Sequence, residues 1–148
     1  MAALLVSITR AQISKFARTK DFRYTEHYDK PMAPGNPTNA LKVLMRGAEG
    51  QYLPDDQVRI TAARIEHYPF TGKGTNLIAI TPICLFDPNK HTLTSTDRVD
   101  IIARDGAIVV NGSAGFRFET TNTTLHVSNR VRTTIQGSLL KTGRILNP

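Results

Sequence analysis

Four histidines, one cysteine and scattered serines and carboxylates are the residues of this chain that could carry out catalysis or hold a metal. His27, His67, His91 and His126 fall at no His-x-x-x-His or other ligand spacing, and none pairs with Cys84 at short range. His126 alternates with Leu125 and Val127, which places it on the face away from a core. Thr71-Gly72-Lys73-Gly74-Thr75 invites comparison with a phosphate loop. That motif needs Gly-Lys-Ser/Thr opening a helix, whereas Lys73 is followed by Gly and then by a strand pattern, so the stretch reads as a turn. Ser7, Ser14, Ser95, Ser113, Ser128 and Ser138 show no Gly-x-Ser-x-Gly elbow. Asp55-Asp56 sits beside Pro54, where turn formation explains both carboxylates. Asn111-Gly112-Ser113 and Asn122-Thr123-Thr124 match the glycosylation pattern, but turn chemistry explains both asparagines. These residues give no reason to posit an enzyme, a metal site or a cofactor.

Charge and composition narrow the partners. The net charge is +7, so an anionic partner is the first thought. The bases are spread along the chain among acids, with no dense Lys/Arg run. A platform for single-stranded nucleic acid wants several exposed aromatics over a basic groove. Phe86, Phe116 and Phe118 are few and separated, and Arg104 and Arg117 have acidic neighbours, so nucleic acid is not expected as a partner. Phe116 and Phe118 share one face of a strand, as a core or an apolar groove requires. Cys84, alone between Ile83 and Leu85, can form no internal disulfide and reads as a small buried hydrophobe.

The elements that must position these residues are strands. From Thr92 to Gln136 the chain reads as a ladder: Thr94–Ala103, Ala107–Asn111, Gly115–Thr120, Thr124–Val127 and Arg130–Gln136. Asp105-Gly106, Asn111-Gly112, Thr121-Asn122-Thr123 and Ser128-Asn129 punctuate it with turn chemistry. Close-set turns with no helical period between them predict an all-β sandwich, barrel or jelly roll. Upstream, Ala40–Arg46 and Val58–Tyr68 alternate as strands, the second through a bulge near Arg64 that resets its facing. Leu77–Ile80 is a nearly continuous apolar run that Thr81-Pro82 should cap.

A chain of 148 residues fits one domain. Residues 1–40 read as an N-terminal segment, 41–137 as the β-domain and 138–148 as a tail. Within the first, Lys15–Tyr28 approaches the sheet, with Phe22 and Tyr24 spaced for an edge strand, and the proline-rich stretch Pro31–Pro37 is a loop. Ala2–Ile8 is too short to span a bilayer. Two readings stay open there: a clipped signal peptide, or a frayed terminus running into Ile13–Ala17.

The ladder also carries a resemblance. Leu93–Asp97, Asp105–Gly112, Gly115–Phe118 and Leu125–Val131, with Ile60–Glu66 upstream, resemble the repeated strand and glycine-turn units of the LptC/LptA (OstA-like) family of lipopolysaccharide transport. The resemblance covers residues 42–136 and is nearest to the single-domain LptC-like form. It implies a twisted, open β-jelly roll in the periplasm, non-enzymatic, with an apolar inner groove for lipopolysaccharide or another acylated lipid. It further implies edge-strand pairing with other jelly-roll transport proteins, and association with the inner membrane. Under that reading Ile60, Ile80, Ile101, Val110, Phe116, Phe118, Leu125, Val127, Val131 and Ile135 line the groove. Arg117, Arg130 and Arg132 stand at its rim to meet headgroup phosphates. Two features depart from the family. Its inner-membrane member carries an N-terminal transmembrane helix, and the segment 15–37 has no counterpart. The alternative is a structural β-sandwich adaptor with a closed core, assembling through its edge strands.

Overall fold

The computed structural model describes residues 17–31, 33–35, 38–70, 74–103, 106–128 and 130–135. Within them lie ten antiparallel strands: β1 (Arg18–Pro31), β2 (Asn39–Tyr52), β3 (Val58–His67), β4 (Leu77–Asp87), β5 (Thr92–Ser95), β6 (Val99–Ala103), β7 (Ile108–Gly112), β8 (Phe116–Glu119), β9 (Thr124–Val127) and β10 (Val131–Ile135). No helix among the described residues is long and apolar enough to cross a membrane. The expected ladder is present, with one division more. Thr94–Ala103 is two strands, because Ser95–Asp97 turns the chain from one sheet branch to the other. Ala2–Ile8 and the tail lie outside the described residues.

The edge strand expected around Phe22 and Tyr24 is longer than their spacing indicates. Arg18–Pro31 is a full strand of 14 residues hydrogen-bonded along β2, and Phe22 belongs to the core. Its inward positions, Phe22, Tyr24 and Glu26, alternate with exposed Arg23, Thr25 and His27. The polar content of that strand made it look peripheral, yet alternation is all that an edge strand needs.

Strands β1 to β4 form a continuous sheet, and β4 then divides it. Leu77–Ile80 pairs with β6, which continues through β7 to β10. Leu85–Asp87 pairs instead with β5, which continues through β8 to β9. The two branches leave the same strand and face each other, giving a twisted, open jelly roll. Pro82 sits at the division. It does not cap β4, since the strand runs through it to Asp87, but it lacks the amide N–H a ladder bond would need. Thr81 Oγ1 donates to Arg98 O at 2.7 Å, and Ser95 Oγ donates to Ile83 O at 2.6 Å. These hydroxyls satisfy carbonyls that the parting strands would otherwise leave bare.

The division lies on a row where the buried face changes parity. Bracketing pairs place Asp21 opposite Ala48, Ala48 opposite Ala62, and Ala62 opposite Pro82. Asp21 and Ala62 have φ of 53° and 51°. On β3, Val58 and Ile60 are buried before the row, and Ala63 and Ile65 after it. On β4, Thr81 and Ala79 are buried on one side, Cys84 and Phe86 on the other. The resetting expected near Arg64 therefore occurs at Ala62, in step with its neighbours, so register is kept and no residue is added.

The core fills the space between the layers. Val43, Met45, Ile60, Ile65, Phe86, Leu93, Ile101 and Phe118 are at most 2% exposed. Each such side chain contributes about 1.5–3 kcal/mol of burial. Tyr24 of the edge strand reaches Phe86 with ring centroids 4.6 Å apart.

Candidate functional site

The two layers do not end together. Strand β9 is the last of its branch, and Val127 packs where a Cβ on Gly112 of β7 would stand. The other branch carries one strand further. In β10, Val131, Thr133 and Ile135 lie opposite Gly112, Val110 and Ile108, and so continue the inner face. Nothing among the described residues covers them to the depth of the core. Val131 is 48% exposed, and Val110, Leu125 and Val127 are only partly buried against the core cluster. The result is an apolar ledge along the open side: Ile108, Val110, Val131 and Ile135 on one layer, Leu125 and Val127 on the edge of the other.

The residues expected to line a groove divide into three groups. Val110, Leu125 and Val127 pack against the core cluster at this ledge, and Val131 and Ile135 continue the inner face beside them on β10. Ile60, Ile101, Phe116 and Phe118 are 0–3% exposed and already packed by their neighbours, so they support the ledge from beneath rather than lining a space. Ile80 is on the outer face and 39% exposed, because the parity row makes Ala79 and Thr81 the inward residues. The arginines separate as well. Arg117 points outward from β8 and its Nε lies 3.1 Å from Glu119 Oε1. Arg132 is outward on β10 opposite Asn111, and Arg130 is exposed in the preceding turn with φ of 45°.

Polar contacts that alternation could not reveal close one end of the roll. Lys42 Nζ donates to Thr121 O at 3.0 Å. His67, 4% exposed, has Asn76 Nδ2 3.5 Å from its Nδ1 and Thr123 Oγ1 3.3 Å from its Nε2. With the amide donating to Nδ1, the imidazole carries its proton on Nε2 and donates to the threonine. Burial, then the Lys42 charge, lowers the pKa of His67, so it is held neutral. Glu26 Oε1 lies 3.1 Å from His91 Nδ1, joining β1 to the turn before β5. His67 follows Ala63 and Ile65 on the inward face, a placement that depends on the parity change at Ala62.

Chemistry is otherwise sparse. Cys84 is 1% exposed and burial pushes its thiol up to about 12, so it is no nucleophile at neutral pH. No group of three metal-ligating side chains comes together among the described residues. A separate cleft of about 490 Å³ lies on the outer face, bounded by Leu53, Arg59, Ile83, Leu85, Thr94 and Asp97. Sequence reading missed it, because outward Ile83 and Leu85 were indistinguishable from core. Among the described residues, no arrangement of reacting groups accompanies the ledge.

A solved structure shares this fold. The crystal structure of LptH, described as the LptA homologous periplasmic component of the conserved lipopolysaccharide transport device from Pseudomonas aeruginosa, matches with a TM-score of 0.54. The identity is 14%, over 82% of this chain and 94% of that one. No protein-family model and no curated protein matches the chain.

Proposed function

We propose that this protein is a non-enzymatic carrier of an acylated lipid, lipopolysaccharide in the first instance, working in the periplasm among other jelly-roll transport proteins. The observation that carries this reading is the apolar ledge. Inward-facing Val131 stays 48% exposed, next to half-covered Val110, Leu125 and Val127, where a closed sandwich would have buried them. An acyl chain laid on it would complete the inner layer opposite β10. The fold likeness to a lipopolysaccharide-transport component agrees with the reading. The LptC-like form, with inner-membrane association, belongs to the same proposal and rests on the sequence resemblance alone.

The second reading is an adaptor that assembles through its edges. The close filling of the interior around Ile60 and Phe118 favours it, as does the long outer edge of β1, which no described strand pairs. Native mass spectrometry of protein purified from a Gram-negative host, followed by lipid extraction, separates the two. Co-purifying lipid at near-stoichiometric amounts supports the carrier. A clean apo mass with no uptake of added lipopolysaccharide supports the adaptor.

A further inference from the structure

Three arginines stand side by side on the outer face of the sheet. Arg23 of β1 is in direct register with Arg46 of β2, and Arg46 with Arg64 of β3. All three alternate with inward residues, so their side chains leave the sheet on the same side. Strands about 4.8 Å apart put the whole row within about 10 Å. Like charges directly opposite one another destabilise a sheet. Against three guanidinium groups stands one carboxylate among the described residues, Glu66: Arg64 Nε lies 2.7 Å from its Oε1, and Arg46 is near enough to help lower its pKa. Arg23 and Arg46 are exposed and have no carboxylate within ion-pair distance among the described residues.

An arrangement unfavourable in the free protein becomes favourable when an anion covers it. We propose that the outer face of β1–β3 docks on an anionic bilayer, with lipid phosphates taken by Arg23, Arg46 and Arg64. The row crosses an open sheet face rather than lining a cleft, which suits a plane of phosphates more than a single small anion. It also runs directly into exposed Ile80, paired with Arg64 on the next strand. Guanidinium groups level with an exposed aliphatic side chain are what the boundary between headgroups and acyl chains accepts. This docking does not depend on the ledge or on any bound lipid chain.

Co-sedimentation with phosphatidylglycerol–phosphatidylethanolamine vesicles tests it, with phosphatidylcholine vesicles as the reference. The native chain should sediment with the first and not the second, and salt should weaken the binding. Arg23→Glu/Arg46→Glu should lose at least about 30-fold in affinity, from the roughly fivefold that each base near such a surface contributes. The charge-matched reversal Lys90→Glu/Arg98→Glu, made away from the row, should keep most of it. Arg23→Gln/Arg46→Gln is the fallback if the reversal misfolds, and should lose binding in the same direction. Val131→Asp should bind vesicles as the native chain does, which separates this face from the ledge. Equal losses in the two double reversals would overturn the proposal, reducing it to net charge. So would failure of the native chain to sediment, or binding to polyphosphate without binding to vesicles.

Discussion

His67 Nε2 lies 3.3 Å from Thr123 Oγ1, so the last residue of β3 is tied to the turn that joins β8 and β9. Thr123 holds a φ of 56°, a conformation that non-glycine residues adopt rarely and only when their surroundings hold them there. The turn is therefore pinned where it sits, by His67 on one side and Lys42 on the other.

That pin should depend on pH. Burial depresses the His67 pKa from its usual 6.5, so the folded chain resists a proton that the unfolded chain accepts. The stability from neutral His67 is fully present above about pH 6.5 and is lost as pH falls from there toward the lower folded value. Glu66 responds in a lower window. Burial opposes its ionisation, but hydrogen bonds from Tyr68 and Arg64 outweigh burial and lower its pKa, so its contribution fades only below about 4.5. Urea midpoints at pH 7.5 and 5.5 should differ in the native chain. The difference should shrink in His67→Gln, which should itself cost about 1 kcal/mol at pH 7.5. Identical pH slopes for the two proteins would remove His67 from the account.

The ledge and the core beneath it should respond differently to a charge. Val131→Asp puts a carboxylate on a half-exposed position and should change stability by no more than about 0.5 kcal/mol. Its retention of co-purified lipid should nevertheless fall several-fold. Phe118→Asp buries the charge among Leu93, Leu125 and the rest of the core, and should prevent folding. Phe118→Ala, the milder change, should cost about 3–5 kcal/mol. Thermal melts beside native mass spectra read both quantities. A folded Phe118→Asp protein that binds lipid normally would disprove the placement of that residue.

At Gly112 the two layers are in close contact. A Cβ there would overlap Val127 Cγ1 and press on Val99 Cγ1, so Gly112→Ala should destabilise the fold by about 1–3 kcal/mol. Gly112→Ala combined with Val127→Ala should recover much of that loss, because the second change empties the space the first one needs. Denaturant titration of the two single variants and the double variant gives the coupling directly.

Thr81 should matter for a different reason. Thr81→Val keeps the shape but removes the donor to Arg98 O, a contact made at 1% exposure. The bare carbonyl should cost about 1–3 kcal/mol. Faster amide exchange at the end of β5 and the start of β6 would accompany it, since β5 ends and β6 begins beside the parting of β4.

How far these features could be read beforehand depended on one assumption, that alternation keeps its parity along a strand. Where it does, the sequence was sufficient: Phe116, Phe118, Leu125, Val127 and outward His126 fall on the faces their spacing predicts. The ladder was legible for the same reason, whereas the open jelly roll was what the family resemblance implied. Ile80 was not, because the row through Ala62 and Pro82 changes the parity of four strands together, and nothing local to Ile80 records it. The Ala62 signal is a backbone angle rather than a side-chain pattern. Strand β1 was legible only as an edge, because its charged outward residues outnumber the three that face in. The exposure of Val131 could not be read, since it depends on where β9 stops, at Val127, which is near in sequence but in the opposite layer.

The division of β4 has a mechanical consequence. The strand acts as the spine of a book whose two covers are β5–β8–β9 and β6–β7–β10. Between β7 and β9 the covers touch through side chains, and the ladder bonds of the fold run within each cover and along the spine. Parting them at the fore-edge therefore breaks van der Waals contact at Gly112 and Val127 but leaves every strand pair intact. On the carrier reading proposed above, an acyl chain would enter sideways along the open edge, without threading an end, and would leave the same way.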